Sequence, residues 1–177
     1  MKLLFTLAAA AASLALVMPA AALTTQFVAH LDGASESPPN PSPAFGDAQV
    51  TLDDSVFTVA VHVTFSGLSA PASAGHIHCC TAVPGTGNVG VRVGFTGFPA
   101  ATSGTYDNTF VLSSAAFTSL LTGIEEGRSY VNIHDSTFPG GEIRGFLQPV
   151  PEPATWALML GGVGLVGATM QRRRVAA

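Results

Sequence analysis

Apolar and polar residues alternate through the middle of the chain. From 57 to 65 every second residue is apolar, which predicts a strand with one buried face. Clusters of Asp, Gly, Pro and Asn, typical of turns, separate it from other short strand-like segments. These lie at 26–31, 48–52, around Ile77, 89–95, 108–112, 129–134 and 142–148. Seven or eight such strands predict an all-β domain, either an antiparallel Greek-key β-sandwich or a partly closed barrel.

Two segments depart from the strand pattern. Residues 114–121 favour one short helix, with a serine as its N-cap and Gly123 as its stop. Residues 32–46 carry four prolines, so this stretch predicts an ordered loop or a flexible arm and not a central strand.

The first 22 residues have the three parts of a secretory signal. A basic start at Lys2 precedes an apolar run over 3–17, and small residues follow at 20–22. We therefore expect an N-terminal signal helix, with signal peptidase cutting before Leu23. The alternative is a retained membrane helix, although the run is shorter than the ~20 residues that a span usually needs.

The other end of the chain, 150–177, also has three parts in a fixed order. Residues 154–170 are uncharged for 17 positions, which is the lower limit for a transmembrane helix, and an arginine cluster follows. Because arginines stay on the cytoplasmic side, the central domain lies outside. The sequence Pro-Glu-Pro precedes the apolar run. The residues of the motif are Pro151, Glu152, Pro153, Arg172, Arg173 and Arg174.

This order resembles the PEP-CTERM sorting signals of Gram-negative bacteria. The resemblance implies that an exosortase processes the chain near its Pro-Glu-Pro sequence. The protein would be held in the inner membrane before processing, and would afterwards lie at the cell surface or in an exopolysaccharide matrix. A plain single-span anchor is the alternative reading.

Composition excludes some functions for the exported region, 23–149. Only 10% of the 177 residues are charged, while 47% are hydrophobic. Between the two ends, three arginines and no lysine face ten acidic residues, so the formal charge is −7. That balance excludes a nucleic-acid-binding surface, which must be basic. The same region has no methionine, so a thioether metal ligand is also excluded.

Several blocks in this region resemble the CHRD domain, a family named after chordin. They are Leu-Asp-Gly at 31–33, Glu-Ser-Pro-Pro at 36–39, Gly-His-Ile-His at 75–78, Tyr-Val-Asn-Ile-His at 130–134 and Gly-Gly-Glu-Ile-Arg-Gly-Phe-Leu at 140–147. The resemblance implies an extracellular β-sandwich module of undefined biochemical role. It does not imply the growth-factor partners of chordin. The expected division is 1–22 signal peptide, 23–149 CHRD-like domain and 150–177 sorting signal.

The histidines carry the most specific candidate chemistry. His76 and His78 are two residues apart on a predicted strand, so both project from one face, and Cys80 joins them if the strand continues. His134, on another strand, completes a candidate copper or zinc site. In the alternative reading the imidazoles are structural groups, bonded to carbonyls or to carboxylates such as Asp135 and Glu142.

An enzyme is not expected. A superoxide-dismutase-like binuclear site needs further histidines soon after the first pair, yet none occurs between His78 and His134. Two function hypotheses therefore remain. The first is a non-enzymatic surface or matrix module that binds exopolysaccharide or envelope proteins. The second is an extracytoplasmic protein that binds copper or zinc.

Two further pairs of residues have spacings that favour structural roles. Cys79 and Cys80 are adjacent in a protein sent to an oxidising compartment, which favours a vicinal disulfide. Two free thiols and an intermolecular bridge remain open. Glu142 and Arg144 share a strand face by spacing, so we expect a structural ion pair, with carboxylate binding by the arginine as the alternative.

Overall fold

The computed structural model describes residues 24–150. The predicted signal helix at 1–22 and the predicted transmembrane helix at 154–170 lie outside the described residues. Nine strands and one helix follow in chain order: β1 (Thr24–Asp32), β2 (Phe45–Asp53), β3 (Thr58–Ser66), β4 (Ala72–Cys79), β5 (Val91–Gly94), β6 (Gly104–Val111), α1 (Ser114–Glu125), β7 (Ser129–Asp135), β8 (Ile143–Phe146) and β9 (Gln148–Pro149).

Within 24–150 the strands form a single antiparallel sheet in the order β5-β4-β7-β8-β1-β2-β3-β6, and β9 pairs with β1. Strands β1, β2 and β3 are neighbours in sequence and in space. The pairs β4–β7, β8–β1 and β3–β6 join distant parts of the chain, as Greek-key connections do. The sheet curls into a nearly closed barrel, which decides between the two predicted architectures.

The two edge strands of the barrel meet through aromatic side chains. The ring of Phe95, just after β5, stacks on Tyr106 and Phe110 of β6 at centroid distances of 5.2 and 6.3 Å. The Tyr106 hydroxyl donates a 3.0 Å hydrogen bond to the carbonyl of Thr96. Apolar contact therefore covers the gap between β5 and β6, where the described residues make no backbone ladder.

The predicted alternation fixes which face of each strand is buried. Val59, Val61 and Val63 of β3 point into the barrel, as do Ile77 of β4 and Val131 of β7. Burial of each of these side chains contributes about 1.5–3 kcal/mol. The residues between them, including the histidines of β4 and β7, face outward.

Helix α1 packs Phe117, Leu120 and Ile124 into the core. Its N-cap is Ser113, whose hydroxyl accepts a 3.3 Å hydrogen bond from the Ala116 amide. The helix does not stop at Gly123 but runs on to Glu125. A Cβ at 123 would overlap the sulfur atoms of Cys79 and Cys80, so the glycine permits close packing instead of ending the helix.

The proline-rich segment is an ordered loop, 33–44, that lies against the connection between β7 and β8. The Gly33 carbonyl accepts a 2.9 Å hydrogen bond from the Asn40 amide. The side chain of Asn40 donates a 2.9 Å bond to the carbonyl of Glu142. These contacts hold the loop beside the outer face of the sheet, where it contributes Glu36.

Candidate metal centre

The outer face of β4 and β7 brings the predicted histidines together. In the antiparallel register His76 lies opposite Asn132 and His78 lies opposite Tyr130, while His134 pairs with Ala74. His76 and His78 therefore share one face, as their spacing of two predicts. His134 joins them because Asn132 and His134 keep the same alternation on β7.

The three imidazoles converge. One nitrogen from each ring lies within 4.8 Å of the other two. His76 Nδ1 and His134 Nε2 are 3.1 Å apart, and the two ring centroids are separated by 5.0 Å. Among residues 24–150 this is the one group of three or more His, Cys, Asp or Glu side chains with that geometry.

Backbone carbonyls orient two of the rings. His78 Nδ1 lies 2.7 Å from the Val89 oxygen, and His134 Nδ1 lies 3.1 Å from the Pro139 oxygen. A carbonyl can only accept, so each Nδ1 carries the proton and each Nε2 keeps its lone pair. Histidine ligands of metal ions are commonly held in this way by an outer hydrogen bond.

His78 Nε2 is buried and has no hydrogen-bond partner among the described residues. The residue is 8% exposed. Leaving a buried acceptor unpaired costs about 1–3 kcal/mol, which a metal ion would offset. The structural reading of the histidines therefore accounts for the Nδ1 atoms of His78 and His134 but not for His78 Nε2.

The electrostatic setting keeps the imidazoles neutral. Burial, with smaller contributions from His134 and His78, lowers the pKa of His76 to about 4. Burial is also the main reason why the pKa values of His78 and His134 lie below their usual range. The rings are therefore uncharged at neutral pH, which metal binding requires, because an imidazolium cannot bind a metal ion.

Aromatic and charged side chains support His78 from the neighbouring strands. Its ring stacks on Tyr130 at a centroid distance of 4.7 Å and an interplanar angle of 6°. On β8, the strand on the other side of β7, the Arg144 guanidinium lies 4.8 Å from the Tyr130 centroid. This cation–π contact fixes the tyrosine against which the histidine rests.

The loop over this face contributes the side chain of Glu36, which was not among the predicted site residues. Glu36, which is 6% exposed, accepts a hydrogen bond from the Asn132 amide and lies 3.8 Å from Arg144. Burial raises the pKa of Glu36 even though Arg144 acts in the opposite direction. Asn132 and Tyr130 alternate with the buried residues of β7, so that period could have identified them. No local period marks Glu36, although its Glu-Ser-Pro-Pro sequence is one of the blocks that resemble the CHRD domain.

Cys80 does not join the imidazoles. Strand β4 ends at Cys79, and the structure joins Cys79 to Cys80 in a vicinal disulfide. Their sulfur atoms lie 3.6 and 3.5 Å from the Ser119 carbonyl of α1. The strand ends one residue before Cys80, so its alternation does not apply to Cys80, whose sulfur is held against the helix.

Glu142 and Arg144 do not form the expected ion pair. Glu142 precedes β8, so the strand alternation does not apply to it. Its fully buried carboxylate accepts hydrogen bonds from the Ser42 hydroxyl at 2.6 Å and from the Ser69 hydroxyl and amide at 2.7 and 2.9 Å. The Arg144 guanidinium instead donates to the carbonyls of Ser35 and Gly87 and to the side chain of Asn88.

Asp135 also stays apart from the histidine cluster. Its carboxylate accepts hydrogen bonds from the Ala70 amide at 2.7 Å and the Phe138 amide at 2.6 Å. It therefore fixes the turn after β7, the turn that presents the Pro139 carbonyl to His134.

Two known families match parts of the chain. The PEP-CTERM protein-sorting motif matches residues 149–174, so the chain is an exported bacterial protein that exosortase processes. The motif residues Pro151, Glu152, Pro153, Arg172, Arg173 and Arg174 lie outside the described residues. No helix within 24–150 is both long and apolar enough to cross a bilayer.

The family model of the CHRD domain matches residues 27–147, which include all three histidines of the cluster. No curated protein matches the chain. The match covers most of the sequence, from β1 to the residue before β9. The chain therefore belongs to the CHRD domain family.

Proposed function

We propose that the CHRD domain of this exported protein binds one copper or zinc ion through His76, His78 and His134, as a non-enzymatic module at the cell surface. The convergence of three imidazole nitrogens within 4.8 Å carries the proposal. The three rings are uncharged at neutral pH, and two of them are oriented by carbonyls.

The ligand chemistry selects the metal class. Neutral imidazoles suit zinc and copper, whereas calcium and magnesium prefer oxygen ligands. Zinc–nitrogen bonds of about 2.0–2.1 Å in a tetrahedral site place two ligand atoms about 3.3 Å apart. The separation of 3.1 Å between His76 Nδ1 and His134 Nε2 is close to that value.

The final location of the module rests on the sorting motif. Removal of residues 1–22 by signal peptidase would release the mature N-terminus, and exosortase processing would follow at the other end. We place the mature protein at the surface or in the exopolysaccharide matrix, next to polysaccharide or envelope proteins. The metal would then stabilise a domain that has left the cell.

The test is the metal content of the full chain, extracted in detergent and purified without a chelating tag. We expect about one copper or zinc ion per chain in the wild type and in His62→Ala, and none in His78→Ala. His62 is a matched control because it lies on the same barrel but outside the cluster. A wild type that takes up no stoichiometric metal, even when copper or zinc is added, contradicts the proposal.

A further inference from the structure

Three imidazoles do not complete the coordination of a copper or zinc ion. A zinc site with three protein ligands takes its fourth ligand from solution, whereas a structural site has four protein ligands. Within residues 24–150 no cysteine, aspartate or glutamate joins the histidines. A fourth protein ligand in this part of the chain would therefore be an uncharged oxygen, which the side chain of Asn132 carries.

Asn132 lies among the residues of the histidine cluster. It is the cross-strand partner of His76, and on the outer face of β7 it lies between Tyr130 and His134. Those two residues are about 13 Å apart along the strand. The ring of His78 nevertheless lies 4.7 Å from the tyrosine ring and 6.2 Å from that of His134. The His78 ring therefore extends along β7 over Asn132.

The amide of Asn132 is buried, and only its nitrogen has a hydrogen-bond partner. The residue is 2% exposed although its face of the strand points outward, so other side chains cover it. Its Nδ2 donates to Glu36, and a Cβ at Gly141 would overlap both of these side chains. Because a carboxylate accepts hydrogen bonds, the amide nitrogen faces Glu36 and the amide oxygen faces away from it.

The amide oxygen of Asn132 has no hydrogen-bond partner among the described residues. On the same face His78 Nε2 is a second buried acceptor without a partner there. Two acceptors cannot pair with each other, but a cation between them satisfies both. Because buried polar groups are nearly always paired, two unpaired acceptors on one face indicate a group that the chain binds.

We propose that the amide oxygen of Asn132 is the fourth ligand of the ion held by His76, His78 and His134. This inference rests on the proposed metal site and makes it a closed site of three nitrogens and one oxygen. Amide oxygens occur as weak axial ligands of copper. Glu36 is then a positioning residue, because it holds the amide with its oxygen free. Such a site leaves no position for a ligand from solution, which fits a structural ion.

The experiment loads the full chain with one equivalent of Co²⁺, whose visible spectrum reports its ligands, and titrates it with azide. We expect no spectral change in the wild type, because four protein ligands leave azide no position. Asn132→Ala should keep one Co²⁺ per chain and gain a saturable change with azide, because the fourth position opens. A role of the amide in folding alone would not create an azide site.

Matched variants control for the loss of the side chain. Asn132→Asp keeps an oxygen at the same place and should not gain azide binding. Gln49→Ala removes an exposed amide from β2, outside the cluster, and should behave as the wild type does. Should Asn132→Ala fail to fold, Asn132→Ser opens the same position with a smaller loss of volume. The dissociation constant for zinc should rise at least about tenfold in both of these variants and stay unchanged in Gln49→Ala.

The outcomes separate this inference from the proposed function. Azide binding to the cobalt-loaded wild type would show that a ligand from solution holds the fourth position. That result overturns the role of Asn132 and leaves the metal site standing. Either the absence of azide binding in a folded, cobalt-loaded Asn132→Ala or Asn132→Ser protein or an unchanged zinc dissociation constant would overturn it as well. A wild type that takes up neither Co²⁺ nor zinc would overturn both proposals.

Discussion

The barrel carries histidines on two parts of its outer surface, and they are used in opposite ways. On β1, β2, β3 and β6, His30 lies 3.0 Å from Asp47 and His62 lies 2.7 Å from Asp107, all four side chains being about half exposed or more. On β4 and β7 the histidines are partly buried and bond to carbonyls and to each other.

The difference shows what distinguishes a site from a solvated surface. An exposed imidazole beside a carboxylate already has a hydrogen-bond partner. Because solvent screens the pair, it contributes little to the free energy of unfolding. Three imidazoles without an acid, one of them with an unpartnered buried nitrogen, are costly unless something binds them. Clustered neutral imidazoles with an unpaired buried nitrogen are therefore the stronger indication of a ligand.

The largest expected effect is stabilisation by metal. At free zinc 1,000-fold above its dissociation constant, the free energy of unfolding should rise by about 4.1 kcal/mol, and Tm by roughly 15 °C. Thermal unfolding of the full chain with and without a chelator measures this. His62→Ala should keep this rise in Tm, and His78→Ala should lose it. An equal rise in both variants would show that zinc does not bind at the histidines of β4 and β7.

A second prediction concerns the buried acid that stays outside the cluster. Glu142→Ala should lower the free energy of unfolding by about 2–3 kcal/mol, because it leaves the Ser69 amide and hydroxyl unpaired. Denaturant unfolding measures the loss. In double-mutant cycles Glu142 should couple to Ser69, whereas its coupling to Arg144 should stay below about 0.5 kcal/mol. A larger coupling to Arg144 would restore the ion pair that strand spacing suggests.

The third prediction is a pH dependence of the metal-free protein. Burial lowers the pKa of His76 to about 4 in the folded state, while the unfolded value is about 6.5. Below pH 6.5 the unfolded chain takes up a proton that the folded chain accepts only near pH 4. The free energy of unfolding should therefore fall as pH drops from 6.5 towards 4.

Denaturant unfolding in the presence of a chelator, repeated across that range, measures the slope. His76→Gln should reduce the slope, with His78 and His134 supplying the rest, and His62→Gln should leave it unchanged. A slope that is the same in all three proteins would show that the cluster does not resist protonation.

The smallest effect is expected on the other surface. The exposed pair His62 and Asp107 should contribute less than about 0.5 kcal/mol in a double-mutant cycle, because solvent screens both groups. Denaturant unfolding of the two single variants and of the double variant gives the coupling. A coupling above 1 kcal/mol would mean that the exposed pair stabilises the barrel and is not merely solvated.

Local patterns predicted much of this molecule and failed where the chain leaves a regular strand. The period of two placed His76 and His78 on one face because β4 pairs with β7 without a register shift through both of them. It failed for Cys80 and Glu142 because β4 ends at Cys79 and β8 begins at Ile143. One residue of error at a strand end is enough to change a side chain's partners.

Other features depend on contacts between distant segments, which no local pattern contains. Glu36 reaches the outer face because Asn40 ties its loop to the β7–β8 connection. Gly123 lies inside α1 because the helix packs on the Cys79–Cys80 disulfide. The nearly closed barrel follows from the contact of Phe95 with β6, which spacing along the chain does not predict.

X-ray absorption of the zinc-loaded full chain tests the central claim most directly. The account predicts three imidazole nitrogens at about 2.0–2.1 Å and one further ligand that is not an imidazole. Loss of the bound zinc in His134→Ala, with three imidazoles kept in His30→Ala, would identify the cluster as the source. Zinc surrounded by oxygen atoms alone, or by sulfur from Cys79 and Cys80, would contradict the account.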